Sequence, residues 1–513
     1  MAERWRRAPW TAAGFWPWLL GALFLSRLAG LVFGVVDLDE DEFCVIGGMI
    51  ARGAISYAGV AEFKPPLTHL AFLPASLLGG VSIAPMRVLG ALWLLATCLV
   101  LAHAAQEWTG DAGAGRAAAF LALLAACCEV PAVNAELLMD LPLAGALLAF
   151  VHAERTGRLR HDLTVGLCVG IASLFKHQGA MMLVALGAAR AWPSVSAPRP
   201  GAAPPRRRGR RAAAVLLLGL GFALPWGVAA AAFARAGHLA DFFEWMVLRN
   251  LGYAGKASIF SLPRAALSTA VCLAGTAVPW ALAARESFRG DRDPVRRGLA
   301  LALWTTWIPV AVGGRFYEHY FLQFVPPLAV LGAPAAADLI RRWPSLPLRA
   351  RATVVAVLAS STLGYLGFTM GRGLAGKYPN QDPKVREVAA WLVASTPPGA
   401  TLFVWGHAPQ IYYLSQRHPA TRYLTATTQM GGFDPAHLPR GFDLGPHRSA
   451  RDVERLLADL EATRADVFVD TAPADIHEWS KVPLAAFPEL SRYVAAHYTL
   501  AAEPAGARVY RRR

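Results

Sequence analysis

The chain has 513 residues, 55% of them hydrophobic and only 17% charged, against roughly 25% charged in soluble domains. A formal net charge of +15 invites a nucleic-acid partner. The arginines, however, stand in short blocks between apolar runs, the pattern that orients membrane helices and attracts anionic lipid headgroups, which argues against nucleic acid. Six cysteines (Cys44, Cys98, Cys127, Cys128, Cys168, Cys272) show no spaced framework and mostly sit in apolar runs, so neither a disulfide scaffold nor a zinc site is indicated.

The first apolar run follows the basic flank Arg4, Arg6 and Arg7. It is long and no small-residue cleavage site comes after it, so it reads as a retained anchor. A helix needs about 20 apolar residues to cross about 30 Å of hydrocarbon. On that measure spans are predicted at 14–36, 84–105, 114–132, 138–153, 163–175, 179–191, 212–233, 264–284, 298–313, 319–339 and 352–369. The run from Leu67 to Leu78 is too short and is read as a helix lying at the interface. Leaving it out of the count puts every arginine block (Arg155/Arg158/Arg160, Arg206–Arg211, Arg285–Arg297, Arg341–Arg351) on one side with the N-terminus. The pair of spans around Lys176-His177-Gln178 reads either as two short helices or as a bent hairpin.

Eleven spans place the C-terminus outside. The outer segments are then 37–83, a turn at Asn134 to Asp140, 234–263, 314–318 and all that follows residue 370. Pro193–Arg211, rich in Pro, Ala and Arg, reads as a low-complexity cytoplasmic loop. Beyond the last span the pattern changes. Asp382-Pro383 looks like an N-cap and first-turn proline, Thr401–Trp405 reads as a strand, and a short helix is expected near Tyr412. Ser449 with Asp452 opens an amphipathic helix, and a second strand is expected over Asp466–Asp470. The expected fold class is a multi-spanning α-helical membrane protein of about eleven helices with a small C-terminal α/β domain on the outer face. The boundaries are 1–372, including the outer loop 37–83, and 373–513. An inner-membrane location with the N-terminus cytoplasmic follows from the same reading.

The densest polar cluster is Asp37-Leu-Asp39-Glu40-Asp41-Glu42, followed by Phe43, Cys44, Val45, Ile46 and Met49 as an interfacial helix. About twenty residues on comes Glu62-Phe63-Lys64-Pro65-Pro66, a lysine fixed by two prolines. A carboxylate that takes a proton beside a lysine that binds phosphate suits transfer from a phosphate-linked donor. A solvated cap is the plain alternative for the acids. Glu136 and Asp140 stand where the third span re-emerges and fit either a polar cavity or capping. His319 and Lys176 have plain readings too, as an interfacial histidine and a snorkelling side chain. Gly371-Arg-Gly373-Leu-Ala-Gly376 spells a dinucleotide fingerprint but follows a membrane helix rather than a strand.

Taken in order, these motifs resemble a known family. They are Asp39-Glu40 with an aromatic three residues on, Gly53 and Tyr57, Lys64-Pro65-Pro66-Leu67, Asn134-Ala-Glu136, Leu174-Phe-Lys176-His-Gln178-Gly179, Gly314-Arg315-Phe-Tyr-Glu-His319-Tyr320, and Trp405-Gly406 through Tyr412-Tyr413. They resemble the GT-C glycosyltransferases, and most of all glycosyltransferase family 39, which holds the dolichyl-phosphate-mannose protein mannosyltransferases and the lipid A aminoarabinose transferase. The resemblance implies inverting transfer of a sugar from a polyprenyl-phosphate donor to a lipid, glycan or protein acceptor. It implies Asp39 and Glu40 as catalytic acids and Lys64 as a donor-phosphate contact; on physical grounds the phosphate leaving group also needs cations near the interface, and Arg315 and His319 qualify. Glu62, Lys176 and Tyr320 are additional candidates. Relatives often place the glutamate directly before the lysine, whereas here Phe63 intervenes. A divalent metal held by Glu136 and Asp140 with Asp39 is compatible with this set but not required by it. The competing class is a polytopic transporter or glycolipid flippase, which would carry its charges at mid-membrane, usually with inverted repeats.

Overall fold

The computed structural model describes residues 14–192, 208–254, 262–290, 293–312, 314–433, 435, 438–439 and 441–513. The first arginine block, most of the Pro193–Arg211 loop and the end of the 234–263 segment lie outside these residues. Six described helices are long and apolar enough to cross a membrane: Phe15–Phe33, Ala84–Thr109, Ala135–Thr156, Arg208–Arg235, Glu318–Ser345 and Leu348–Gln381. The pair Ala265–Gly275 and Ala277–Ser287 makes a seventh if counted as one span, bent by 86°. The bend sits at Thr276, whose hydroxyl donates back to the Cys272 carbonyl (2.6 Å).

The other four predicted spans are shorter helices: Ala112–Ala126, Arg160–Phe175, Met181–Ala191 and Pro294–Thr305. Even the longest, with 16 residues, rises only about 24 Å at 1.5 Å per residue. Around Lys176 the chain forms two helices. Lys176 itself is extended, and a 3₁₀ turn over His177–Ala180 starts the next helix. The chain is thus a multi-helical integral membrane protein.

The chain forms two compact units. One draws on Met1–Val32, Arg87–Ala232 and Ser261–Gly371, the other on Phe33–Met86, Phe233–Phe260 and Arg372–Arg513.

The first unit is all helix. Its closest helix crossing is made by glycine: a Cβ on Gly166 would lie 2.0 Å from the Leu218 carbonyl oxygen, and one on Gly221 2.2 Å from that of Leu163. Small residues let membrane helices touch backbone to backbone, and any larger side chain would push this pair apart. Some of the arginines are used internally here. Arg190 is buried against Asp162 (2.5 and 2.9 Å) and Glu154, and Arg296 meets Glu286 (3.1 Å).

The second unit contains a five-stranded mixed sheet of order β2-β1-β3-β5-β4, with β1 Thr401–Trp405, β2 His418–Pro419, β3 Val467–Asp470, β4 Tyr498–Ala502 and β5 Arg508–Arg512. β1 runs parallel to β2 and β3, while β5 is antiparallel to β3 and β4. β1 and β3 are buried almost throughout, as parallel strands covered on both faces must be. Phe403, Trp405, Phe468, Trp479, Phe487 and Leu456 form the core. Asp382 and Ser449 cap their helices as expected, accepting from Lys384 N and Asp452 N.

The same unit holds helix Leu38–Ala51, which corrects one expectation. It is not a helix resting on a bilayer: Phe43 through Met49 are all buried. Gly47 makes this possible, since a Cβ there would stand 2.2 Å from the Phe72 carbonyl oxygen. The Leu67–Leu78 run is likewise two short pieces, Pro66–Ala71 and a 3₁₀ turn Leu73–Ser76, packed on that helix.

Candidate active site

Four of the predicted residues lie together in the second unit. Asp37 caps helix Leu38–Ala51, one carboxylate oxygen accepting the Asp39 amide (2.9 Å). The acids Asp39, Glu40 and Asp41 fill the first turn, where the positive end of the helix dipole favours them. Their side chains then diverge, as successive helical residues must. Glu40 is fully buried and accepts the Val36 amide (2.9 Å), and Asp41, equally buried, accepts from the Asn380 side-chain amide (3.0 Å). Asp39 is the accessible one. It is 26% exposed, with one oxygen 3.4 Å from the Lys64 ammonium.

Lys64 reaches this point through its backbone. Glu62 accepts the Lys64 amide (3.0 Å) and the Tyr57 hydroxyl donates to the Lys64 carbonyl (2.9 Å). Glu62 therefore still holds Lys64 although Phe63 stands between them. The ammonium lies 5.1 Å from the centre of the Phe43 ring and 5.2 Å from that of Phe63, close enough for cation–π attraction. Glu42 faces Glu62. Burial, the Glu62 and Asp39 charges and a hydrogen bond to Glu62 raise the Glu42 carboxyl well above its ordinary range, and Lys64 opposes them. Burial also raises Glu62. Asp37 is pushed up to about 8 by burial, helped by the charges of Asp39 and Glu40.

The remaining predicted residues lie in the first unit. Asn134 caps helix Ala135–Thr156 by accepting the Leu137 amide (2.9 Å), which sets Glu136 in the first turn. Glu136 is completely buried and ion-paired with Lys176, whose ammonium also stands 4.4 Å from the centre of the Tyr320 ring. Lys176 therefore does not snorkel to a surface. His319 stands between two acids, with Nε2 3.8 Å from Glu136 and Nδ1 3.7 Å from Glu129. Tyr317 stacks on it (5.3 Å between ring centres), and Arg315 is half-buried beside Phe316, a non-glycine residue at φ 46°, a kind of strain that clusters at functional sites. Asp140 is buried, and neither carboxylate oxygen has a hydrogen-bond partner among the described residues. Glu136 gives one oxygen to the Lys176 ammonium, and its other oxygen, Oε2, has no hydrogen-bond partner among the described residues.

Glu129 is a site residue that the sequence did not single out; its only signal is an acid at the end of an apolar run. The glycine pattern 371–376 is a helix ending: it falls at the end of helix Leu348–Leu374, with Gly376 at φ 68°.

The model of the dolichyl-phosphate-mannose-protein mannosyltransferase family matches residues 64–194. Lys64, Glu136, Asp140 and Lys176 fall inside the match, Asp39 and Glu40 before it, and Arg315 and His319 after it. No curated protein sequence matches the chain. Among solved structures, the chain resembles ArnT from Cupriavidus metallidurans bound to undecaprenyl phosphate, with a TM-score of 0.59 and 15% identity, over 97% of this chain and 98% of that one. It also resembles the archaeal oligosaccharyltransferase AglB from Archaeoglobus fulgidus, solved with an inhibitory peptide and a dolichol-phosphate. There the TM-score is 0.50 at 13% identity, over 97% of this chain and 74% of AglB. At such identities the likeness is one of fold. The chain is thus similar in sequence, over residues 64–194, to the dolichyl-phosphate-mannose-protein mannosyltransferases, and similar in fold, over 97% of its length, to ArnT.

Proposed function

We propose that this protein is an inverting glycosyltransferase. It moves a sugar from a polyprenyl-phosphate donor to a lipid, glycan or protein acceptor at the outer face of the inner membrane. The observation that carries this reading is the accessible Asp39 carboxylate held 3.4 Å from the Lys64 ammonium. In the reaction, the carboxylate takes the proton of an acceptor hydroxyl as its oxygen attacks the anomeric carbon. The bond from that carbon to the phosphate oxygen breaks, and the electron pair leaves with the lipid phosphate. A fixed cation beside the departing phosphate stabilises the charge that develops there, generally a large part of the rate enhancement.

Because Glu40 turns inward to Val36, the base role narrows to Asp39, with Glu40 holding the loop that presents it. Arg315 and His319 are proposed as further phosphate cations. ArnT and AglB both carry a lipid phosphate in their structures, which supports a donor of that class here. The location is supported by the composition of the second unit, which gathers 33–86, 233–260 and 372–513, close to the three long segments that the arginine pattern puts outside. We further propose that 1–372 carries the transferase and that 373–513 is extracytoplasmic.

Substitution of Lys64 tests the donor role. Charge-assisted phosphate binding predicts that Lys64→Arg keeps more transfer than Lys64→Gln, with both proteins folded. Equal transfer by the two variants would count against a phosphate contact.

A further inference from the structure

The segment from Phe233 to Phe260 carries none of the motifs that suggested a function, yet it grips the stretch of chain that ends in Lys64. Glu244–Leu248 is a single π-helical turn, an irregularity found often at functional sites. Next to it, the Asn250 side-chain amide donates to the Phe63 carbonyl (3.2 Å) and the Trp245 carbonyl (2.8 Å). Met246 Sδ lies 3.3 Å from the Tyr57 hydroxyl, which donates to the Lys64 carbonyl. The Phe63 carbonyl is thus held from this side and the Lys64 carbonyl by Tyr57, against which Met246 packs, while Glu62 holds the Lys64 amide.

The turn is itself anchored. Arg249 forks onto Asp452 with two 2.7 Å hydrogen bonds and meets Glu244 at 2.8 Å. Its guanidinium stands 4.5 Å from the centre of the Trp245 ring. Asp452, almost wholly buried, also accepts from the Tyr423 hydroxyl (2.9 Å) and belongs to helix Ala450–Thr463 beside the sheet. Glu244 is shared with Arg451 (3.0 Å) and Arg455 (3.2 Å) of the same helix. A planar guanidinium fork on a buried carboxylate fixes orientation as well as distance, which a single lysine contact would not.

We propose that Arg249 and Asn250 are positioning residues for Lys64. Arg249 locks the turn onto the C-terminal helix, and Asn250 transmits that position to the Phe63–Lys64 backbone, so that the ammonium stands in register with Asp39. The proposal rests on the reading of Lys64 as the donor-phosphate cation.

The test uses the full chain in lipid nanodiscs, with undecaprenyl phosphate as the probe and acylation of the Lys64 amine, read by mass spectrometry, as a second readout. Asn250→Ala is expected to weaken probe binding about three- to tenfold, the span of one net hydrogen bond, and to make Lys64 label faster. In a Lys64→Gln background the same change should add nothing, since the two residues act through one contact. Should Asn250→Ala fail to fold, Tyr57→Phe removes the hydroxyl on the Lys64 carbonyl and is expected to act in the same direction. Unchanged binding with unchanged labelling would overturn the proposal, as would an equal loss added on top of Lys64→Gln. If the wild-type protein does not retain the probe, the functional reading falls, while the labelling of Lys64 still decides the clamp.

Discussion

The two units each set a lysine against a carboxylate, and the two pairs differ most in the burial of the acid. Lys64 and Asp39 are 3.4 Å apart, 13% and 26% exposed, between the rings of Phe43 and Phe63. Lys176 and Glu136 are in closer contact, 9% and 0% exposed, with Tyr320 and His319 packed around them. A partly exposed pair gains less from its own attraction than a buried one. A buried pair is costly to form and more costly to split, because removing one partner strands the other charge away from water. The difference supports the proposed substrate role of the first pair and makes the second an internal electrostatic contact.

Splitting the buried pair should give the larger stability effect. Lys176→Met is expected to destabilise the protein by about 3–5 kcal/mol, and Lys176→Met combined with Glu136→Gln to recover most of that. Lys64→Gln should cost no more than about 1 kcal/mol. Thermal melting of the three variants in detergent is the check. Equal losses from Lys176→Met and Lys64→Gln would erase the distinction between the pairs.

A smaller effect concerns pH. Asp37, raised from 3.8 to about 8 by burial and by its acidic neighbours, is neutral in the folded protein at pH 7. A carboxyl raised on folding contributes stability that is complete below the unfolded value and lost as the pH climbs through the folded one. The melting temperature should therefore decline as the pH rises toward about 8, and Asp37→Asn, which keeps a competent N-cap, should flatten that decline. The same slope in wild type and variant would mean that other groups produce it.

Much of this architecture was legible in the sequence because it rests on local rules. Apolar runs marked the helices, Asp382 and Ser449 marked helix starts, and the uniformly apolar Leu402–Val404 and Val467–Val469 marked the parallel strands. β4 and β5 were missed because Tyr498–Ala502 and Arg508–Arg512 are half-exposed strands without a continuous apolar face. The break at Thr276, inside the predicted span 264–284, was not legible because the apolar run continues through it. In the site, the acid cluster and Lys64 were legible as motifs. Which acid stays accessible was not, because it depends on where Glu40 and Asp41 find partners. Nor was the grip of Asn250 on Phe63 or of Arg249 on Asp452, pairs 187 and 203 residues apart in sequence. No local pattern encodes such contacts.

The central claim is that Asp39 is the base of a sugar transfer from a lipid phosphate. Its most direct test is turnover of a polyprenyl-phosphate sugar donor by purified protein in nanodiscs, comparing wild type with Asp39→Asn, which keeps the side chain's shape and removes its charge. General-base assistance contributes about 10²–10⁴-fold, so a loss of that order is expected at unchanged melting temperature, with smaller losses from Asp41→Asn and Glu42→Gln. Near-normal turnover by Asp39→Asn beside a large loss from Asp41→Asn would place the base on the residue that the structure shows buried against Asn380. Near-normal turnover by all the acid-to-amide variants from Asp37 to Glu42 would contradict the account.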